Sequence, residues 1–398
     1  MNPVQETIAR FATLRQRALA VGIIALLASA AGFALAGRTQ FFQSYLYAYM
    51  VWMCLTLGLF GLTLLHHTVR GSWGLPLLRF LEAGAATLPL MLLLFLPIAA
   101  GIADLYPWAN PEVVQSDKYI QHKSGYLNVP FFLARAAVYF AVWILLARIL
   151  RQLSLKQDET EDPALAQKRM NLSAPGLVLF VPTVSFAMID WVMSLEPRWY
   201  SSIYGAWFIV GQGLSALAFS TTVLLLAARH KPFADVVNPK LTRDLGNLTF
   251  AFVILWAYTS ISQYIIIWSA NLPDEIVYYI KRNQGGWQYL SGALTVLHFF
   301  LPFLILLSSR VKRYANLLLR VMVFILVMRL VDLFWIIVPA FGRETLSVHW
   351  LDMTLLAGIG GLWLAWFAHQ VCSAPLLPRH DSRLQEAWLY ERSASTVA

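Results

Sequence analysis

Read as hydrophobic and polar positions, the chain is a series of ten apolar runs separated by polar stretches. The runs lie at about 18–36, 43–65, 85–102, 130–150, 174–193, 203–228, 246–270, 286–307, 317–338 and 350–371. Each is close to the ~20 residues that a helix rising ~1.5 Å per residue needs to cross a bilayer's hydrocarbon core. The pattern predicts an all-α, polytopic membrane protein with ten transmembrane helices and a single integral membrane domain over residues 1–398. Pro89 and Pro97 predict a kink in the third span. Gly205, Gly211 and Gly213 predict close helix packing in the sixth. Three connections are longer than tight turns. Segment 151–173, the most polar in the chain, is expected to be a solvated loop on one side, with 104–129 and 271–285 on the other.

Composition narrows the class. With 59% hydrophobic and 13% charged residues and a mean hydropathy of +0.60, the chain is far more apolar than a soluble domain, in which about 25% of residues are charged. The net charge of +9 is spread between the apolar runs, with no aromatic-interleaved basic patch, which argues against nucleic acid and for membrane topology. On one side of the expected crossings Lys and Arg number 21, on the other 7, with Arg135 and Arg329 inside spans. The positive-inside rule then puts both termini and loop 151–173 in the cytoplasm. The first run follows Arg15 and Arg17, has full span length, and reads as a retained helix rather than a cleaved signal. Cys54 and Cys372 lie inside predicted spans and cannot form a CxxC, a CxxCH haem attachment or a four-cysteine cluster site. No c-type haem, iron–sulfur cluster or metal is expected in this chain.

Ionisable residues inside apolar runs are the candidate chemistry. A charge at mid-membrane costs roughly 2.5 kcal/mol or more, so such a residue faces a protein interior or a wet cavity and has partners. Arg329 and Asp332, three apart on one helix face, are expected near the middle, with His298 at similar depth on the eighth span. A structural ion pair and a station on a proton path are both open readings of this group. Asp190 and Arg135 fall in the outer half and suit either an ion pair or an exit station. Asp352 opens the tenth span on the same side. At the inner face, His66, His67 and Glu82 could collect protons or could anchor the interface. Ser260, Ser262, Gln263 and Tyr264 form a polar band in the seventh span, suited to waters or to helix–helix hydrogen bonds. Asp274, Glu275, Lys281 and Arg282 are expected to meet partners outside, unless the EIVYYIKR segment lies flat on the membrane.

A weak internal echo accompanies these positions. The fifth span carries MIDWVMSLEP and the ninth RLVDLFWIIVP, each with an Asp and a Trp before a Pro. Four helices apart, they could close two equivalent four-helix bundles, spans two to five and six to nine. Longer segments carry a family resemblance: LHHTVRGSWG from Leu65, YLNVPFFLARA from Tyr126, APGLVLFVPTVSFAMIDWVMSLEPRWYSSIYG from Ala174, and QYIIIWSANLPDEIVYYIKRNQGGWQ from Gln263. From about the second span to the tenth, the chain resembles the F subunit (ActF) of bacterial alternative complex III, related to the polysulfide-reductase-like (NrfD-type) membrane subunits. The resemblance implies two four-helix bundles plus two peripheral helices in a bacterial inner membrane. It implies a subunit of a quinol-oxidising respiratory or photosynthetic complex, with scaffolding and a proton pathway as its roles. Haem c and iron–sulfur clusters would belong to partner subunits, and the quinol site to the sister C subunit.

Two other classes fit less of the sequence. A secondary transporter suits ten helices with midplane charges, but the repeat is parallel and no half-helix break stands out at matching positions. A b-type cytochrome needs histidines on facing helices at one depth, for which His66 with His369 is the plausible pair.

Overall fold

The computed structural model describes residues 3–69, 71–160 and 162–380. Arg70, Arg383 and Arg392, three of the charges used to orient the chain, lie outside them. The described residues form helices and no strand. In hydrocarbon no water satisfies a backbone N–H or C=O, so long apolar runs close their own hydrogen bonds as helices.

Ten helices are long and apolar enough to cross a membrane: α1 (Pro3–Ala36), α2 (Arg38–Val69), α3 (Leu78–Ala100), α4 (Val129–Thr160), α5 (Pro163–Trp191), α6 (Tyr204–Ala227), α7 (Pro239–Ala270), α8 (Trp287–Leu307), α9 (Ala315–Ile337) and α10 (Trp350–Cys372). The chain is a multi-pass helical membrane protein. One end, the terminal face, gathers the start of α1, the end of α10 and the α6–α7 connection. There Thr7 donates to the Lys231 carbonyl at 2.8 Å and Cys372 approaches the Ile8 carbonyl at 3.7 Å.

Helices α2 to α5 pack as a closed ring, each against the next and α5 back against α2. Helices α6 to α9 form a second ring in the same cyclic order. The rings meet through α2 and α6, while α10 lies against α2 and carries α1 on its outer side. At the junction a Cβ on Gly58 would stand 2.0 Å from the Gln212 carbonyl oxygen, so only glycine lets α2 and α6 cross this closely. Of the sixth-span glycines, Gly205 faces Ser185 of α5 and Gly213 faces Phe252 of α7. The break in α3 comes at Ala86–Thr87, between Leu78–Ala85 and Leu88–Ala100, just before Pro89. Thr87 donates to the Gly84 carbonyl at 2.7 Å and closes the broken turn.

The largest departure from expectation is segment 151–173. It is helical on both sides: α4 continues to Thr160 and α5 begins at Pro163, capped by Asp162. Ser154, Gln157, Asp158, Arg169 and Ser173 are buried there. Part of the polarity that suggested a solvated loop is consumed internally, while Lys156, Glu159 and Lys168 stay exposed. Arg79 of α3 donates to Glu82 at 2.7 Å, to Ser154 at 2.9 Å and to Asp158, and Arg169 donates to Ser154 and Gln157. The two long connections on the face opposite the terminal face are also partly helical, with Pro111–Ser116 and Lys118–His122 in one and Pro273–Lys281 in the other.

Candidate functional site

In the second ring the site grows from two residues of α9. Spacing by three puts Arg329 and Asp332 on one helix face, turned inward, where they are 3% and 1% exposed. Arg329 Nη1 donates to Asp332 Oδ2, and Arg329 Nε donates to Ser215 of α6 at 3.2 Å. Gly211, one turn before Ser215, makes this fit: a Cβ there would stand 2.4 Å from an Arg329 nitrogen. Trp256 of α7 donates its Nε1–H to the same Oδ2 at 3.1 Å. Asp332 Oδ1 takes no hydrogen bond among the described residues.

His298 completes the expected trio with one change. It is fully buried on α8, and its ring meets the Trp256 ring edge to face at 4.2 Å between centroids. Neither of its nitrogens has a hydrogen-bond partner among the described residues. Trp256 thus touches both His298 and Asp332, and no direct bond joins those two. Around His298 the helix widens into a π-helical stretch, Leu294–Phe300. Pro302, four residues on, has no N–H to donate to the His298 carbonyl, which interrupts the regular ladder there.

A cavity of about 340 Å³ lies in the half of this ring away from the terminal face, with Asp332, Trp207, Trp256, Ser260, Tyr264 and Trp335 among its walls. Of the polar band, Ser260 and Tyr264 reach it. Gln263 instead receives a hydrogen bond from Ser201 at 2.9 Å and donates one to Tyr279 at 3.2 Å, tying α7 to the connections opposite the terminal face.

The first ring holds a second buried pair. Arg135 of α4 grips Asp190 of α5 with two parallel bonds of 2.8 Å, and Tyr139 adds a third at 3.1 Å. The guanidinium also donates to the Tyr126 carbonyl at 2.9 Å and lies 3.8 Å from the Tyr126 ring centroid. Both carboxylate oxygens are occupied, and two helices are clamped.

The remaining candidates have structural partners. Glu82 pairs with Arg79 in the cluster that anchors the α4–α5 hairpin. His66 and His67 are buried, with their rings 5.7 Å apart and His66 against Trp73. They are not open collectors at the surface. His369 lies 3.3 Å from Arg15, across the α1–α10 contact. Asp352 receives bonds from Ser44 at 2.5 Å, Arg343 at 3.0 Å and the His349 backbone at 2.9 Å. With His349 accepting from Leu351, this is a reciprocal cap that starts α10 and fastens it to α2. Its carboxylate is held by the helix end and is not a link to the Arg329 group.

Arg282 differs most from its expected place. It is fully buried instead of facing a partner, donating to Glu196 at 3.2 Å and to the carbonyls of Tyr278, Trp335 and Ile336. The guanidinium stacks 3.4 Å from the Tyr278 ring centroid, and Trp199 covers that ring's vicinity at 4.0 Å. Asp274 and Lys281 stay exposed, although Lys281 also reaches Glu196 at 3.0 Å. Trp256, Trp207 and Glu196 were not singled out from sequence. Among 15 Trp residues nothing in the pattern separates an indole that donates to a carboxylate from one that fills space. Compared with known proteins, the chain matches no family model and no curated relative.

Proposed function

We propose that this chain is a membrane subunit of a quinol-oxidising complex of the alternative complex III type, carrying no redox cofactor, scaffolding the complex and conducting protons through its second ring. The observation that carries the proton reading is Asp332: a buried carboxylate, balanced by Arg329, that also lines a cavity whose largely aromatic walls include Ser260, Ser291 and Thr295. Proton transfer needs groups within hydrogen-bond reach or one water apart. The cavity has room for several waters at roughly 30 Å³ each, which would bring protons to Asp332 Oδ1 from the outer side. Arg329, held by Ser215, keeps a compensating charge in place whether the carboxylate is ionised or protonated.

In this reading both termini are cytoplasmic, the membrane is a bacterial inner membrane, and the outer connections face the periplasm. Iron–sulfur and multihaem cytochrome c subunits would dock there, with the sister C subunit and lipids beside the helices. The assembly part of the proposal is carried by the four resembling segments named above. The test is Asp332→Asn in the intact complex reconstituted into liposomes. Assembly should be unchanged while protons released per electron fall by about half or more, since removing one proton-transfer group slows its step by roughly 10²-fold and the path through it drops out. Unchanged stoichiometry would overturn conduction, and purification without haem or iron–sulfur partners would overturn the assembly.

A further inference from the structure

In the first ring, where α4 leaves the connection opposite the terminal face, its crevice with α5 holds two hollows that share Tyr126. The one nearer the connection, of about 360 Å³, is bounded by His122, Lys123, Met193, Pro197 and Trp199. The deeper one, of about 300 Å³, runs between Phe131, Ala134 and Val138 of α4 and Phe186 of α5. Helical spacing makes them continuous. Phe186, Ile189 and Met193 lie on one face of α5, so a single strip of that helix lines both levels.

The two levels differ in chemistry. The deeper one is apolar and open to the bilayer, with Phe131, Val138 and Phe186 all exposed. The nearer one carries donors that lack acceptors. Lys123 gives one N–H to the Pro197 carbonyl at 2.6 Å and forms no ion pair among the described residues. Burial pulls its ammonium below the ordinary lysine range, with Asp274 opposing that shift. Trp199 is 4% exposed and stacked on Tyr278 at 4.0 Å, and its Nε1 has no hydrogen-bond partner among the described residues. Leaving such a donor unpaired is costly, so an occupant that accepts from it is favoured.

We infer that this crevice binds one membrane phospholipid, its phosphodiester accepting from Lys123 Nζ and Trp199 Nε1 and an acyl chain lying along Phe131, Val138 and Phe186. The chemistry selects this class. An ammonium and an indole N–H both donate, so the polar end of the occupant must accept, and the cation favours one that is anionic. Lys, Trp and Tyr gather at the level of lipid head groups, which is where the nearer hollow lies. A cationic head is disfavoured because, among the described residues, no carboxylate lines either hollow. Arg135 borders the deeper hollow but is already balanced by Asp190, so the anion belongs at Lys123. The inference does not depend on proton conduction.

The test uses the full chain, delipidated in a maltoside detergent and titrated with dioleoylphosphatidylethanolamine, with bound copies counted by native mass spectrometry. Dioleoylglycerol supplies the same chains without phosphate, and glycerophosphoethanolamine the same head group without chains. One phospholipid should bind saturably, roughly tenfold or more tighter than either fragment. Lys123→Gln keeps a donor for the Pro197 carbonyl but removes the charge, and should weaken the phospholipid about tenfold while leaving the diglyceride unchanged. Ala134, exposed on α4, faces away from the core, so Ala134→Trp should fill the deeper hollow and weaken the phospholipid by a similar factor in a chain that melts with the wild type. Diglyceride binding as tightly as phospholipid would overturn the phosphate contact. Glycerophosphoethanolamine binding as tightly would reveal a site for a free phosphate ester and overturn the lipid. Wild-type phospholipid binding by both variants would overturn the crevice as its place.

Discussion

Arg135–Asp190 in the first ring and Arg329–Asp332 in the second are both buried arginine–aspartate pairs, yet they are built to opposite specifications. In the first ring, Arg135 and Asp190 come from different helices, and both oxygens of the carboxylate are engaged by Arg135 or Tyr139. In the second, Arg329 and Asp332 share a helix, both bonds converge on Oδ2, and the other oxygen is left over beside a cavity. A saturated pair can only hold helices together. An unsaturated one can exchange its partner, and that distinction separates a clamp from a site.

The largest expected effect falls on the clamp. Asp190→Ala leaves the Arg135 charge buried among Tyr126, Phe131 and Tyr139 with no carboxylate. That should cost about 3–5 kcal/mol, seen as a large drop in thermal midpoint or in recovered folded chain. A variant that melts with the wild type would show that the first ring does not depend on this pair.

A smaller effect is expected when both members of the second pair are replaced. Arg329→Met combined with Asp332→Leu removes two charges at once, so no unpaired ion remains, and stability should change by no more than about 2 kcal/mol. Trp256 Nε1, left without Oδ2, borders a space large enough for water. Proton release in liposomes should nonetheless be lost. The matching double change, Arg135→Met with Asp190→Leu, removes four hydrogen bonds where the second pair loses three, strands the Tyr139 hydroxyl and the Tyr126 carbonyl, and should be the less stable of the two. The reverse ranking in a denaturation series would defeat the contrast.

Much of this layout is legible in the sequence, because the bilayer leaves few options. Ten apolar runs become ten helices, and Arg329, Asp332, Arg135 and Asp190 turn inward because lipid cannot receive them. What sequence does not reveal is partner choice. Glu82 turns to Arg79 and Asp158, and Asp352 to Arg343 and Ser44, through contacts set by helix rotation and by residues far apart in the chain. Segment 151–173 is misjudged for a related reason. Its charges look solvated one at a time, and only the converging Arg79 and Arg169 make a buried polar cluster affordable there. The cavity is equally silent in sequence, since it is the space that Trp207, Trp256 and Trp335 leave unfilled.

Trp256→Phe probes the joint between His298 and Asp332. The ring contact with His298 stays, while the 3.1 Å bond to Oδ2 is lost. Stability should fall by about 1 kcal/mol, the usual net worth of one such bond. If Trp256 helps to fix the carboxylate for proton exchange, release should slow at unchanged assembly. Equal rates in stopped-flow proton release would mean that Asp332 works without it.

The smallest effect belongs to a third pair of the same chemistry, placed in the connections opposite the terminal face. Arg198 donates to Asp117 at 2.9 Å, but its own side chain is 66% exposed. Local burial pulls the Asp117 carboxyl up, yet Arg198 and the N–H groups of Tyr119 and Ile120 together hold it below the ordinary aspartate range. A depressed folded value means that the contribution is present above the unfolded pKa of about 3.9 and fades as pH falls through the folded one. Protection of the Tyr119 and Ile120 amides, measured by hydrogen exchange as a protection factor, should therefore be flat at neutral pH and decline below about pH 4. Asp117→Asn should abolish that decline, and Arg198→Ala should leave the thermal midpoint nearly unchanged, as solvent and salt screen exposed pairs. Were Arg198→Ala as damaging as Asp190→Ala, burial could not be what makes the first-ring pair a clamp, and the difference between the rings would have to be sought in geometry alone.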